Sequence, residues 1–207
     1  MAQTNITFTD KVENSGTTAD GRASAANFNE IKSTINANAT DAEARLVSLK
    51  TGWAYYVDSQ YTEGSPLSPT VSTRTRLTND GLGATTEIGQ LPTGVSAFWD
   101  VATDKLIGIV NGDSYDLRID FTVDVPTQTE SILVELDIGD GAPDIPIVSR
   151  TVPFAESGIK KVSLGFPYFS LATFVTNGGK LFITTSAASF EIYNIGFLIK
   201  RDYSPQV

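Results

Sequence analysis

The side chains in this chain that could do chemistry are carboxylates and hydroxyls, because its 207 residues include no histidine and no cysteine. That absence removes the commonest general base, thiolate nucleophiles, thiolate zinc sites and disulfides. Paired carboxylates remain, and glycoside hydrolysis is the chemistry such a pair performs. Asp116, Asp120 and Asp124 are the first set, at i, i+4 and i+8. On a strand this spacing puts all three on one face opposite an apolar one, the pattern of a solvated surface. Asp137, Asp140 and Asp144 are the second set, gathered about the turn in the run DIGDGAPD. They are a candidate for a loop cation held by oxygens, but the spacing is not that of an EF-hand, and an acidic hairpin turn accounts for them as well. Gly81 and Gly83, like Gly139 and Gly141, lack the third glycine and following helix of a phosphate cradle. These readings predict a protein that is not an enzyme, with no cofactor and no assigned metal.

Stacking against sugars is the remaining recognition chemistry, and Trp53, Tyr55, Tyr56, Tyr61, Phe98 and Trp99 supply rings for it. Core or subunit packing is their other use. Tyr55 and Tyr56 alternate on a strand, so at most one of them lines any given surface.

The elements that must position these residues read as strands. In Tyr115 to Val125, Tyr115, Leu117, Ile119, Phe121, Val123 and Val125 alternate with polar residues, a strand with one apolar and one wet face. Shorter β-type runs fall at 54–61, 70–77, 105–109, 131–138, 147–154, 159–164, 180–185 and 189–203, separated by turns such as Asn79-Asp80-Gly81 and Asn177-Gly178-Gly179. Eight to ten strands joined by unequal loops suit a jelly-roll sandwich better than an up-and-down meander. Residues 167–177 fit either a strand or a short helical turn.

Ahead of this domain lies a different texture. From Ser24, a possible N-cap, small or apolar residues recur at Phe28, Ile31, Ile35, Ala39, Ala42, Leu46, Leu49 and Trp53 at steps of 3 or 4, and Gly52 supplies a stop. The stripe is thin and its flanks are polar. It fits either a helix docked on its own domain or a seam whose partner is another copy of the chain. Within the seam, either the core runs through Ala39 as a stutter, or Asn38 occupies a layer and fixes register and partner number. Residues 1–22 are polar apart from Ile6, Phe8 and Val12 and read as an extended arm. The expected organisation is an arm at 1–22, a helical stem at 23–52 and a β domain at 53–207.

Charge narrows the partners. The formal net charge is −9, and five basic and six acidic residues in 1–50 leave ten basic and eighteen acidic residues in the β body. Such a surface repels phosphates, so no nucleic-acid partner is expected. No apolar run approaches the roughly 20 residues of a membrane span, and the start of the chain lacks a signal-peptide pattern, so membrane insertion is not expected either.

The arm beginning TNITFTDKVEN, the helix NFNEIKSTINANATDAEARL, the entry GWAYYVDSQYT and the runs TRTRLTNDG and NGDSYDLRIDF together resemble the short trimeric fibre and decoration proteins of tailed bacteriophages. The resemblance implies a mainly β fold, a jelly-roll (TNF-like) β-sandwich carried on an N-terminal α-helical coiled-coil stem. It further implies a homotrimer whose stem core comprises Phe28, Ile31, Ile35, Asn38, Ala42, Leu46 and Leu49. Anchoring through Ile6, Phe8 and Val12 to the major capsid protein or another virion protein follows from it. So do a location on the virion surface, at the head rather than the tail, and adhesion to a host-surface glycan. The chain has no His-x-His motif and no repetitive shaft, which favours a head fibre or capsid decoration. A short tail-fibre receptor-binding adhesin and a carbohydrate-binding module are the alternatives.

Overall fold

The computed structural model describes residues 25–48, 51–139 and 143–205 and, within the helix, the side chains of residues 29–42. The expectations for Ile6, Phe8, Val12, Leu49 and Asp140, for the cap at Ser24 and for the side chains of Phe28 and Leu46 lie outside the described residues. The helix and the strands belong to separate units.

Helix α1 runs Ala25–Ser48, a stretch with six alanines and neither Gly nor Pro. Its 24 residues make a rod about 36 Å long. Thr34 and Thr40, poor helix formers, donate their hydroxyls back to the carbonyls of Glu30 and Asn36 at 2.9 and 3.0 Å. Ile31 and Ile35, on one face, are 53% and 42% exposed.

The β unit contains β1 (Gly52–Val57), β2 (Thr75–Arg76), β3 (Trp99–Asp100), β4 (Lys105–Leu106), β5 (Asp113–Val125), β6 (Glu130–Asp137), β7 (Pro146–Phe154), β8 (Gly158–Ser170), α2 (Ala172–Asn177), β9 (Lys180–Thr185) and β10 (Glu191–Tyr203). One sheet has the order β1-β10-β5-β8, the facing sheet β2-β9-β6-β7, and β3 pairs with β4 in a small hairpin. All pairs are antiparallel. Taken in chain order without that hairpin, the first strand pairs with the last, the second with the seventh, the third with the sixth and the fourth with the fifth. This nested pairing, wrapped into two sheets, is a jelly roll.

The expected strands form, with three shortened: the run 54–61 pairs only as far as Val57, after which Asp58 accepts from the Tyr61 N–H and the chain turns. The run 70–77 contributes only Thr75–Arg76 because Ser72 takes a positive φ of 57° and turns the chain before pairing begins. The run 105–109 contributes Lys105–Leu106. The ambiguous 167–177 divides, β8 continuing through Pro167 to Ser170 and α2 following. Pro167 can sit in a strand because β8 is an edge with an N–H side that needs no partner, and the same holds for Pro146 and Pro153 on the other edge, β7.

Alternation places Leu117, Ile119, Phe121 and Val123 of β5 in the core against Ile132, Val134 and Leu136 of β6 and Leu181 and Ile183 of β9. On β10 the parity changes at two bulges, the first of them near Asn194. Ile192 faces inward, a bulge follows with Asn194 at φ 54°, and then Ile195, Phe197, Ile199 and Arg201 are the buried residues. Arg201 and Asp113 are fully buried, with Arg201 Nη1 at 3.4 Å from Asp113 Oδ2. The Tyr115 hydroxyl donates to that oxygen at 2.8 Å and the Val110 N–H at 3.0 Å. Burial, then the hydrogen bond to this carboxylate, pushes the Tyr115 phenol far above its ordinary range.

Removing one partner of a buried pair strands the other charge, so Arg201→Met should destabilise the protein by about 3–5 kcal/mol in urea unfolding. The double variant Asp113→Asn with Arg201→Met should regain much of that loss. Equal stability of Arg201→Met and the parent protein would show that the pair is not a structural tie.

Candidate functional site

The two carboxylate sets meet different fates. Along β5, Asp116, Asp120 and Asp124 lie on the outward face, four residues apart, so successive carboxylates stand about 13 Å apart. Glycosidase pairs are separated by roughly 5–9.5 Å. Asp120 is engaged as a surface charge would be, accepting from Arg118 Nε at 2.9 Å and from the Ser163 hydroxyl at 2.6 Å, while Asp116 lies opposite Lys200 and Asp124 opposite Glu191 on β10.

The acidic turn meets a cation that belongs to the chain itself. Arg74, just before β2, reaches Glu135 through Nε at 3.0 Å, Asp137 through Nη2 at 2.9 Å and Asp144 through Nη1 at 2.7 Å. Its guanidinium also lies 4.1 Å from the centre of the Phe182 ring. Three carboxylates and an aromatic face therefore use one planar fork, which holds the loop to the sheet. Burial works against the Arg74 charge, but the carboxylates outweigh it and raise its pKa. Asp137, only 2% exposed, accepts further from the Gly139 and Ile145 N–H groups at 2.6 and 3.1 Å. Among the described residues no group of three or more His, Cys, Asp or Glu is placed to hold a metal ion.

A further carboxylate pair, which sequence reasoning missed, builds a loop. Asp58, nine-tenths buried as a residue, accepts from the Tyr61 N–H at 2.6 Å and the Asp80 N–H at 3.1 Å. Asp80 accepts from the Ser59 N–H at 2.9 Å, the Ser59 hydroxyl at 2.5 Å and the Leu82 N–H at 3.0 Å. Burial pushes the Asp58 carboxyl up, whereas around Asp80 the donors from Ser59 and Leu82 overcome a desolvation penalty and pull it down. Divergent carboxyls can mark an acid and base pair, but here the oxygens are committed to turning the chain.

The six rings proposed for sugar stacking do not share a surface. Tyr56, Phe98 and Trp99 are core residues. The Tyr56 hydroxyl accepts from the Phe98 N–H at 3.0 Å, and Trp99 Nε1 donates to the Asn79 carbonyl at 2.8 Å. Tyr61 packs partly against the core, and Tyr55 is half-buried. Of the set, Trp53 is the exposed member at 37%.

Its neighbours on the outward face of the β1-β10-β5-β8 sheet are different residues. One row across the sheet reads Trp53, Lys200, Asp116, Pro167, and the next reads Tyr203, Ser114, Phe169. Phe169 is 67% and Tyr203 55% exposed, and Leu171 follows at 60%. Sequence reasoning missed this patch because Phe169 fell in the ambiguous segment and a second bulge, between Arg201 and Tyr203, sets the direction of Tyr203. Among the described residues, the Ile31 and Ile35 face of α1 and this patch are two places where large apolar side chains are exposed together. Neither has the convergent polar groups of a catalytic site.

The strand order defines the class as a jelly-roll β-sandwich. No family model and no curated protein matches the chain. Among solved structures it is similar to Eiger TNF from S. frugiperda, with 9% identity, a TM-score of 0.42 and coverage of 76% of this chain and 96% of that one. It is also similar to PRD1 vertex protein P5, with 17% identity, a TM-score of 0.38 and coverage of 74% and 98%. A CBM4 structure matches over 47% of this chain and 55% of its own, with 15% identity and a TM-score of 0.29. The class rests on the strand pairing of this chain and not on these likenesses. No described helix is long and apolar enough to cross a membrane.

With Arg74 as the counter-charge of the acidic turn, Arg74→Met should lower stability by about 1–3 kcal/mol in denaturant titration, since it leaves buried Asp137 without its strongest donor. The melting temperature of the parent protein should be the same in calcium and in EDTA. A calcium-dependent rise would show that the loop binds a cation.

Proposed function

We propose that the protein is a non-enzymatic structural protein of a bacteriophage virion, a homotrimeric head fibre or capsid decoration. In this reading α1 of three chains forms a coiled-coil stem with Phe28, Ile31, Ile35, Asn38, Ala42, Leu46 and Leu49 toward the axis. The arm at 1–22, with Ile6, Phe8 and Val12, attaches to the major capsid protein or another virion protein, and the sandwich is displayed outward.

The observation that carries the reading is the exposure of Ile31 and Ile35 on a 24-residue helix, in a chain whose β unit buries a core of its own. Apolar positions three or four residues apart on a free helix are stabilised by burial against an equivalent helix. Trimerisation would also multiply the weak contacts of each arm through high effective concentration.

The exposed Trp53, Phe169 and Tyr203 rings support a second reading, an adhesin that stacks on host-surface glycans, as a short tail fibre or a carbohydrate-binding module would. Trp99 is the wrong residue for its test, because truncating a buried Trp costs about 3–5 kcal/mol of stability. Phe169→Ser should abolish glycan-array binding in this reading and leave it unchanged in the first.

Light scattering is expected to give a mass of three chains for the full-length protein, falling to one for Ile31→Asp with Ile35→Asp. A 22.2 kDa monomer for the full-length protein would overturn the proposal. Deleting residues 1–22 should leave the trimer intact and abolish incorporation into particles, and normal incorporation would remove the arm from the assignment. Tens to hundreds of copies per particle are expected of a decoration, far fewer of a tail fibre.

A further inference from the structure

At one end of the β1-β10-β5-β8 sheet, where β5 begins and β8 and β10 end, five polar side chains point into the sandwich. Asp113, Ser170 and Arg201 are fully buried, Tyr115 is 1% exposed and Tyr168 3%. The register sets Asp113 opposite Ser170 and Tyr115 opposite Tyr168. The two tyrosine rings stack at 5.1 Å, and Phe174 of α2 covers the other face of Tyr168 at 5.0 Å. Asp113 Oδ2 takes the donors named above, from Val110, Tyr115 and Arg201. Asp113 Oδ1, the Tyr168 hydroxyl and the Ser170 hydroxyl have no hydrogen-bond partner among the described residues.

Three orphaned oxygens on neighbouring, solvent-sealed side chains are costly unless something joins them. One of them is purely an acceptor and two carry a proton they can donate. Whatever joins them must donate to the carboxylate and either accept from or donate to each hydroxyl. A metal cation would be buried beside the Arg201 guanidinium, which already meets the Asp113 charge. An anion would oppose the carboxylate. A small neutral molecule with two donors and two acceptors satisfies all three.

We infer that a water molecule sealed inside the sandwich links Asp113 Oδ1, the Tyr168 hydroxyl and the Ser170 hydroxyl. It donates to the carboxylate, accepts from both hydroxyls and ties the start of β5 to the end of β8. Burial, with the charge of Asp113 and the Tyr115 hydroxyl nearby, pushes the Tyr168 phenol well up, so that it stays protonated as a donor. Gly108 packs bare backbone against this cluster, since a Cβ there would stand 2.6 Å from Ser170 Oγ and 2.9 Å from Phe174 Cδ1.

The test is the sign of the stability change when each hydroxyl is removed in the full-length protein. Tyr168→Phe keeps the stacked ring and Ser170→Ala keeps the small side chain, so both should fold. With the water in place, each variant should lower the melting temperature by roughly 2–4 °C. The double variant should lose less than the two single losses together, because the shared water is lost only once. A variant as stable as the parent, or more stable, would overturn the inference, for that is how deletion of a partnerless buried hydroxyl behaves. A high-resolution crystal structure should show a solvent peak within hydrogen-bond distance of all three oxygens, and its absence would overturn the inference as well.

Discussion

The sandwich depends on the last strand of the fold being a central one. β10 lies between β1 and β5, so the first sheet has no continuous ladder until residues 191–203 are in place. Each outer pairing of the nested hairpin joins residues far apart in the chain, as in Trp53 opposite Lys200. The entropy of closing such loops is offset only when the two sheets meet and bury their inner faces together, which makes the fold cooperative and its formation slow.

The same strand sets the polar interior. Its bulge at Asn194 shifts the alternation by one, and that shift turns Arg201 inward to meet Asp113. An unshifted ladder would point a different set of side chains at the core. The buried pair is thus a consequence of register, and it holds the end of β10 to the start of β5. Arg74 performs a comparable task on the other sheet, where one guanidinium joins Glu135 and Asp137 of β6 to Asp144 in the loop that follows. In a chain of net charge −9, these two arginines are committed to carboxylates of the β unit, Arg201 in its interior and Arg74 near its surface.

Function follows from what the fold leaves uncovered. The carboxylates are dispersed along β5, neutralised by Arg74 or committed to turns, so the chemistry of the chain lies in its surfaces. Among the described residues, apolar side chains are exposed together on α1 and across the strand ends at Trp53, Tyr203 and Phe169. Both suit contact with other molecules or other copies, which is the economy expected of a structural or adhesive protein.

Much of the fold was legible in the sequence because strands and helices impose their periods locally. The alternation of Tyr115 to Val125, the steps of 3 and 4 from Ile31 to Ala42 and the turns at Gly81 and Gly178 each need only a few neighbouring residues to be read. The wet face of Asp116, Asp120 and Asp124 followed from the same alternation. What local pattern could not supply was which strand neighbours which. The destination of Arg201, the meeting of Arg74 with Asp137 and Asp144, and the burial of Trp99 while Phe169 stays exposed all depend on pairings between distant segments and on bulges that reverse a strand's faces. Periodicity is a property of adjacent residues and is written along the chain. Register and partnership are set by the joint packing of two sheets, and only the tertiary structure decides them.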